Sequence, residues 1–226
     1  MRTLIYVPVI HTSADLGSLA KDATERGITD LGEKVWKEHQ RTVEGFWDVI
    51  MDYFTSVDAS GMKIYQDGMV AGGEIGRQIV EEIAKSGSKN HELVLSLLKR
   101  GAILVKTEVF KLVKEERDRL LAITQARSII HKITAVIRYK LLKNRLLNKR
   151  DNYIAKRIEE TLNDGEVGII FIGAYHNLKE KLPKDIQIKE IKDIEKVREY
   201  QKLLPFCNKN RERFEELGRY LISKVK

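Results

Sequence analysis

Residues 167–173 read Val-Gly-Ile-Ile-Phe-Ile-Gly (VGIIFIG), just after the turn signal Asp164-Gly165 and ahead of Ala174-Tyr175-His176. A short apolar run set between a turn and a polar stop, with no alternation, suits a strand buried on both faces of a parallel sheet. Thr3 to Ile10 (TLIYVPVI) has the same character. Three shorter runs also carry strand signals: Lys63 to Gln66 after Gly61, Ala102 to Val105 after Gly101, and Ile186 to Ile191 after Pro183. Segments with helical spacing separate these runs. That alternation predicts an α/β fold, a mainly parallel sheet of about five strands with long flanking helices.

The helical segments are long. Asp30 to Phe54 places Leu31, Val35, Val43, Phe46, Trp47 and Ile50 near one face, and Ile75–Lys85 and His91–Leu98 follow. Residues 102–164 contain neither Gly nor Pro over 63 positions, with an amphipathic stripe at Ala126, Ile130, Ile133, Ile137 and Leu141. One straight helix of that length would run roughly 90 Å, too far for a compact domain. A break is expected at Leu147–Asn152 (LNKRDN), where Asn and Asp tolerate turns. Pro205 should divide the C-terminal region into two helices that pack on the sheet or meet a second copy in a homodimer. The expected organisation is a single domain over 1–226 with a helical excursion at about 107–150.

Composition narrows the class. The chain has 226 residues, 42% apolar and 33% charged, enough for a sizeable core under a densely charged surface. Bulk disorder, a collagen-like chain and a disulfide scaffold are excluded. A single cysteine, Cys207, cannot form an internal bridge and reads as structural. No secretory signal or membrane span is visible, so a soluble cytoplasmic protein is expected. The net charge of +8 is 41 basic against 33 acidic residues, a thermophile-like surface rich in both signs. Arg138 to Arg150 (RYKLLKNRLLNKR) is basic without an acid and reads as an amphipathic helix with a solvated basic side. Nucleic acid or an acidic protein partner is the alternative use of that face, though Tyr139 is its only aromatic residue.

The ends of the strands carry the chemistry. The first runs into His11, then Thr12, Ser13 and Asp15; the second into Asp67; the third into Lys106 and Glu108; the fourth into Tyr175, His176 and Asn177. Ligands of open parallel sheets bind outside the carboxyl ends of the strands, where residues from separate strands converge. Two imidazoles and two carboxylates there suit general acid–base chemistry or a divalent metal. The remaining histidines, His39, His91 and His131, fall in helical segments and are expected to face solvent. Ser13 is a nucleophile only if a histidine reaches it, and otherwise a helix cap. Asp67 to Gly76 (DGMVAGGEIG) fits neither phosphate-binding glycine pattern, so close backbone packing is the expected role of its glycines.

These motifs resemble the TraB/Tiki group. His11 in VIHTSADLGS resembles its opening motif, and Gly173-Ala-Tyr-His176 resembles its second, an apolar strand followed by Gly-x-x-His. Gly101 to Glu108 resembles the Gly-Ala strand that ends in an acid. The pair Arg150-Asp151 ahead of the fourth strand resembles erythromycin-esterase-like and ChaN-like proteins. That broad group includes a metal-dependent protease and an esterase. The resemblance implies a hydrolase acting on a small-molecule or peptide substrate. His11 and His176 would then be bases or, with Asp67, ligands of a divalent metal, and Asp67 and Glu108 would be their acid partners. Arg150 would bind a substrate carboxylate or an oxyanion, with Ser13, Lys106, Tyr175 and Asn177 as further substrate contacts. The competing reading is a non-catalytic binding protein that uses its basic helix.

Overall fold

A computed structural model describes residues 1–12, 14–15, 20–124 and 129–225. Five strands, β1 (Arg2–Val9), β2 (Lys63–Gln66), β3 (Ile103–Val105), β4 (Val167–Gly173) and β5 (Ile186–Glu190), form one sheet in the order β3-β2-β4-β1-β5. Every pairing is parallel. The fold is α/β, as the alternation of runs predicts. The two central strands, β1 and β4, are the two unbroken apolar runs, and both are buried along most of their length. Gly168 sits where a Cβ would stand 3.0 Å from the Tyr65 ring and 3.1 Å from Leu4, so β4 crosses the core where only a hydrogen fits easily.

The chain reaches β2 through α1 (Ala20–Leu31) and α2 (Glu33–Thr55), then β3 through α3 (Gly73–Lys85) and α4 (Lys89–Lys99). It returns to β4 through α5 (Phe110–Thr124) and α6 (Ile129–Thr161), and ends in α7 (Ile194–Leu203) and α8 (Arg211–Leu221) after β5. Gly32, at φ 82, separates α1 from α2 within the expected Asp30–Phe54 helix, and α2 buries Val35, Val43, Phe46, Trp47, Ile50 and Phe54. Pro205 lies in a short 3-10 turn between α7 and α8, and Cys207 beside it is free and buried.

Three expectations need correcting. Leu147–Asn152 is not a break: α6 runs through it, and its polar residues are used as surface and site side chains. Of the described residues, 110–124 form α5 and 129–161 form α6. Ile137 and Leu141, the later members of the apolar stripe, are exposed at 52% and 75%. Ala126 lies outside the described residues. The side of α6 that enters the core is instead Ile154, Ala155 and Ile158, with Leu162 just past its end.

His39 and His91 do not face solvent. His39 stacks on Tyr200, with centroids 5.8 Å apart, and its Nδ1 lies 3.1 Å from the Tyr200 hydroxyl. Burial pulls its pKa down to about 4, so it stays neutral. His91 Nδ1 lies 2.7 Å from Ser88 Oγ, the side chain that caps α4.

Strand order positions the site. From β2 the chain leaves toward β3, and from β4 it leaves across β1 toward β5. The two connections diverge, which opens a crevice at the carboxyl ends of β2 and β4. No described helix is long and apolar enough to cross a membrane.

Candidate active site

His11 stands two residues past the end of β1 and is bracketed on both sides. The buried Trp47 donates its Nε1 to the Ile10 carbonyl at 3.0 Å. On the other side Asp15 accepts from the Thr12 amide at 2.6 Å and from the Thr12 hydroxyl at 2.9 Å. The backbone is therefore pinned while the His11 side chain stays exposed, lining a cleft of about 490 Å³. Asp15 also accepts from Ser88 Oγ and stands 3.7 Å from His91, which ties this loop to α4. Burial opposes ionisation of Asp15, but these hydrogen bonds prevail and hold its pKa at about 2.

β2 and β4 meet at Asp67. Its amide donates to the Phe171 carbonyl at 2.9 Å, extending the ladder one residue past β2. Its Oδ2 accepts from the Gly173 amide at 3.2 Å. Glu108 arrives from the third strand end because the Thr107 and Glu108 amides both donate to the Met69 carbonyl at 2.9 Å. That fold-over tucks Glu108 completely out of solvent.

α6 supplies the counter-charges. Arg150 Nε donates to both oxygens of Glu108, at 3.0 and 3.1 Å, and the terminal nitrogens reach Glu108, Asp67 and Glu116 of α5. The next residue, Asp151, turns to the other side of the crevice. It pairs with His176 Nδ1 and accepts from the Asn177 amide at 3.0 Å. His176 Nε2 in turn faces Asp67 Oδ2 at 3.4 Å. The chain Glu108–Arg150–Asp67–His176–Asp151 thus joins β2, β3, β4 and α6.

Burial raises Asp67 toward neutrality, but His176 and Arg150 outweigh it and hold its carboxyl well below the ordinary range. Glu108 moves the other way, because burial outweighs the hydrogen bonds and charge of Arg150. His176 is desolvated, yet Asp67 and Asp151 raise its pKa to about 10. It is therefore an imidazolium at neutral pH.

This geometry revises several expected roles. His176 has a carboxylate at each ring nitrogen, an arrangement that favours its protonated form. Arg150 is engaged by three carboxylates of its own chain and is not free to grip a substrate carboxylate. Among the described residues no three His, Cys, Asp or Glu side chains form a group able to hold a metal ion. The guanidinium stands where a cation between these acids would stand. Lys106 is exposed, and its carbonyl accepts from Arg157 at 3.2 Å. The Asn177 side chain donates to Glu180 at 2.6 Å, so only its amide serves the site. Ser13 lies outside the described residues. His11, Asp67, Tyr175 and His176 do line one cleft, together with Arg150. Glu108 stands behind Arg150 and braces it.

Asp15 and Asp151, named in the sequence without a site role, and Glu116, not named at all, complete the site. The adjacent pair Arg150-Asp151 pointed to Asp151, since neighbouring positions on a helix diverge and reach two different partners. Glu116 sits in an alternation of acids and bases along α5, and nothing local sets it apart.

No family model, curated protein or solved structure matches this chain. The cleft walls come from the strand ends on one side and from α5 and α6 on the other. Tyr139 and Lys143 of α6 face Tyr175 across it, with Lys143 Nζ 4.9 Å from the Tyr175 ring centre.

Proposed function

We propose that this cleft is the active site of a hydrolase of the type the strand-end motifs suggest, related in chemistry to TraB/Tiki or erythromycin-esterase-like proteins. The observation that carries the reading is a chain of buried charges, Glu108, Arg150, Asp67, His176 and Asp151, opening on a cleft that also holds an exposed histidine. Desolvating each ion costs several kcal/mol. Such clusters with displaced pKa values are found preferentially at functional sites. His11 is the acid–base residue, because its imidazole is exposed in the cleft while His176 is locked as a cation. It would take a proton from water or a substrate hydroxyl and return it to the leaving group. Asp67 accepts a hydrogen bond and orients the nucleophile. Arg150 and His176, both held by carboxylates, would act through their charge at the cleft wall and by fixing Asp67.

The basic stretch of α6 supports this reading over a nucleic-acid surface. Arg150 and Lys143 both turn into the cleft, so the helix contributes charge to the site. The test is a hydrolysis screen over ester, lactone, amide and peptide substrates, run with and without added divalent ions. Turnover that falls by about 100-fold or more in His11→Ala and in Asp67→Asn, with both variants folded, supports the assignment. Turnover that survives in both variants removes it.

A further inference from the structure

The acids of the cleft wall are all committed. Asp67 and Glu116 are bound to Arg150, Asp67 also faces His176, and Asp15 is held by Thr12 and Ser88. Two cations lining the same cleft are not. Arg117 on α5 and Lys143 on α6 have no carboxylate within ion-pair distance among the described residues. On α5 the neighbouring cations are paired along the helix, Lys114 with Asp118 and Arg119 with Glu115.

Lys143 is also held in place. Its Nζ lies 4.9 Å from the centre of the Tyr175 ring and 6.0 Å from that of Tyr139, and the side chain is half-buried. An ammonium fixed over ring faces keeps at least one free N–H donor. The unpaired Arg117 guanidinium, which lines the same cleft, adds donors in a fork geometry that matches carboxylate or phosphate oxygens. Where the nearby acids are neutralised, the residual field at the mouth is positive and draws an anion in.

We propose that Lys143 and Arg117 form an anion-binding subsite at the mouth of this cleft, taking the carboxylate or phosphate group of a small substrate. Tyr139 and Tyr175 would flank the body of that ligand, which favours a planar or aromatic one. Resting on the hydrolase reading, the substrate is then an ester or amide that carries an acidic group. Its anionic end lies at Lys143 and Arg117 and its scissile bond lies toward His11. The subsite itself needs only binding.

Titration of the whole chain with benzoate and with phenyl phosphate, followed by calorimetry or by NMR of the tyrosine rings, tests it. The two probes separate a carboxylate from a phosphate preference. Saturable binding is expected for at least one of them. It should weaken by about ten-fold or more in the double variant Lys143→Gln/Arg117→Gln and decline with added salt. Glutamine keeps the stem that packs on the rings, and an unchanged melting temperature shows that the variant is folded. The proposal is overturned if neither probe saturates, or if the double variant binds like the wild type. Because binding is read without turnover, a failed hydrolysis screen leaves this result standing, and a failed titration leaves His11 as the acid–base residue.

Discussion

Arg150 Nε stands 3.0 and 3.1 Å from the two carboxylate oxygens of Glu108, a residue 42 positions earlier in the chain and wholly buried. This pair fastens α6 to the end of β3 at the back of the cleft. The same guanidinium then reaches forward to Asp67 and sideways to Glu116. One cation therefore fixes the relative placement of two strand ends and both helices of the excursion. Burial works against its charge, but Asp67 and Glu108 keep it firmly protonated.

Removing that cation should be far more harmful than losing a surface ion pair. Arg150→Met leaves Glu108 buried beside Asp67 without a counter-charge, and breaking a buried network of this kind costs about 3–5 kcal/mol. Urea denaturation at pH 7 should show that loss. Arg150→Lys should recover part of it only, because an ammonium cannot satisfy two carboxylates in the fork geometry. Glu108→Gln in the Arg150→Met background should restore stability, since it removes the stranded charge.

Alkaline pH should act through His176. Its pKa in the folded protein is raised from the ordinary 6.5 to about 10, so folding favours the protonated ring. The stabilisation is fully present below about pH 6.5 and is lost progressively as pH rises through 10. The stability difference between wild type and His176→Gln should therefore shrink between pH 7 and pH 10. An imidazole resonance that titrates near 10 would identify the group directly. If His176 titrates near 6.5, the paired-carboxylate geometry is wrong.

Acid pH should act through His39. Burial lowers its pKa to about 4, so the unfolded chain binds a proton more readily than the folded one. This contribution is complete above about pH 6.5 and is lost as pH falls toward 4. His39→Phe keeps a ring against Tyr200 and removes the titration. It should flatten the stability curve between pH 6.5 and 4 while leaving the alkaline limb unchanged. Paired denaturation curves at pH 7 and pH 5 are sufficient to decide it.

Much of the fold was legible because burial on both faces leaves a strong mark. The runs 63–66 and 167–173 match β2 and β4 residue for residue, and the others differ by one or two positions at their ends. The excursion was harder. Asn and Asp at 148, 151 and 152 look like a turn, yet here they are a helix's polar outward face and its site residue. Four strand-end residues were brought to one cleft or its wall, but their roles were not readable. Whether a histidine is a base or a locked cation depends on which carboxylates fold against it. Asp151 lies 25 residues from His176, and Asp67 lies 109 away. His39 failed for the same reason: its environment is set by Tyr200 from the far end of the chain.

A packing prediction concerns Gly76. A Cβ there would lie 2.7 Å from the Ala71 carbonyl oxygen and 2.8 Å from Leu104 Cδ2. The first contact is backbone and cannot yield without moving the turn that follows Asp67. Gly76→Ala should therefore destabilise the fold by about 1–3 kcal/mol despite the better helix propensity of alanine. A gain in melting temperature would show that α3 can shift freely against β3.

Asp15 offers the sharpest test of how His11 is held. The carboxylate accepts from the Thr12 amide and hydroxyl and from Ser88, so it connects the residue after His11 to the first turn of α4. Asp15→Asn keeps the volume but removes the charge and leaves only one acceptor oxygen for Thr12 and Ser88 to share. The loop should loosen while the sheet stays intact, because the β1 ladder ends before Thr12. Hydrogen exchange at the Thr12 amide should speed up by about ten-fold or more, in line with the loss of a charge-assisted hydrogen bond. Amides within β1 should keep their wild-type rates, and the His11 ring resonance should move or broaden. If Thr12 exchanges as slowly as in the wild type and the His11 resonance is unmoved, the carboxylate does not position this histidine. The bracket would then come from Trp47 and Ile10 alone.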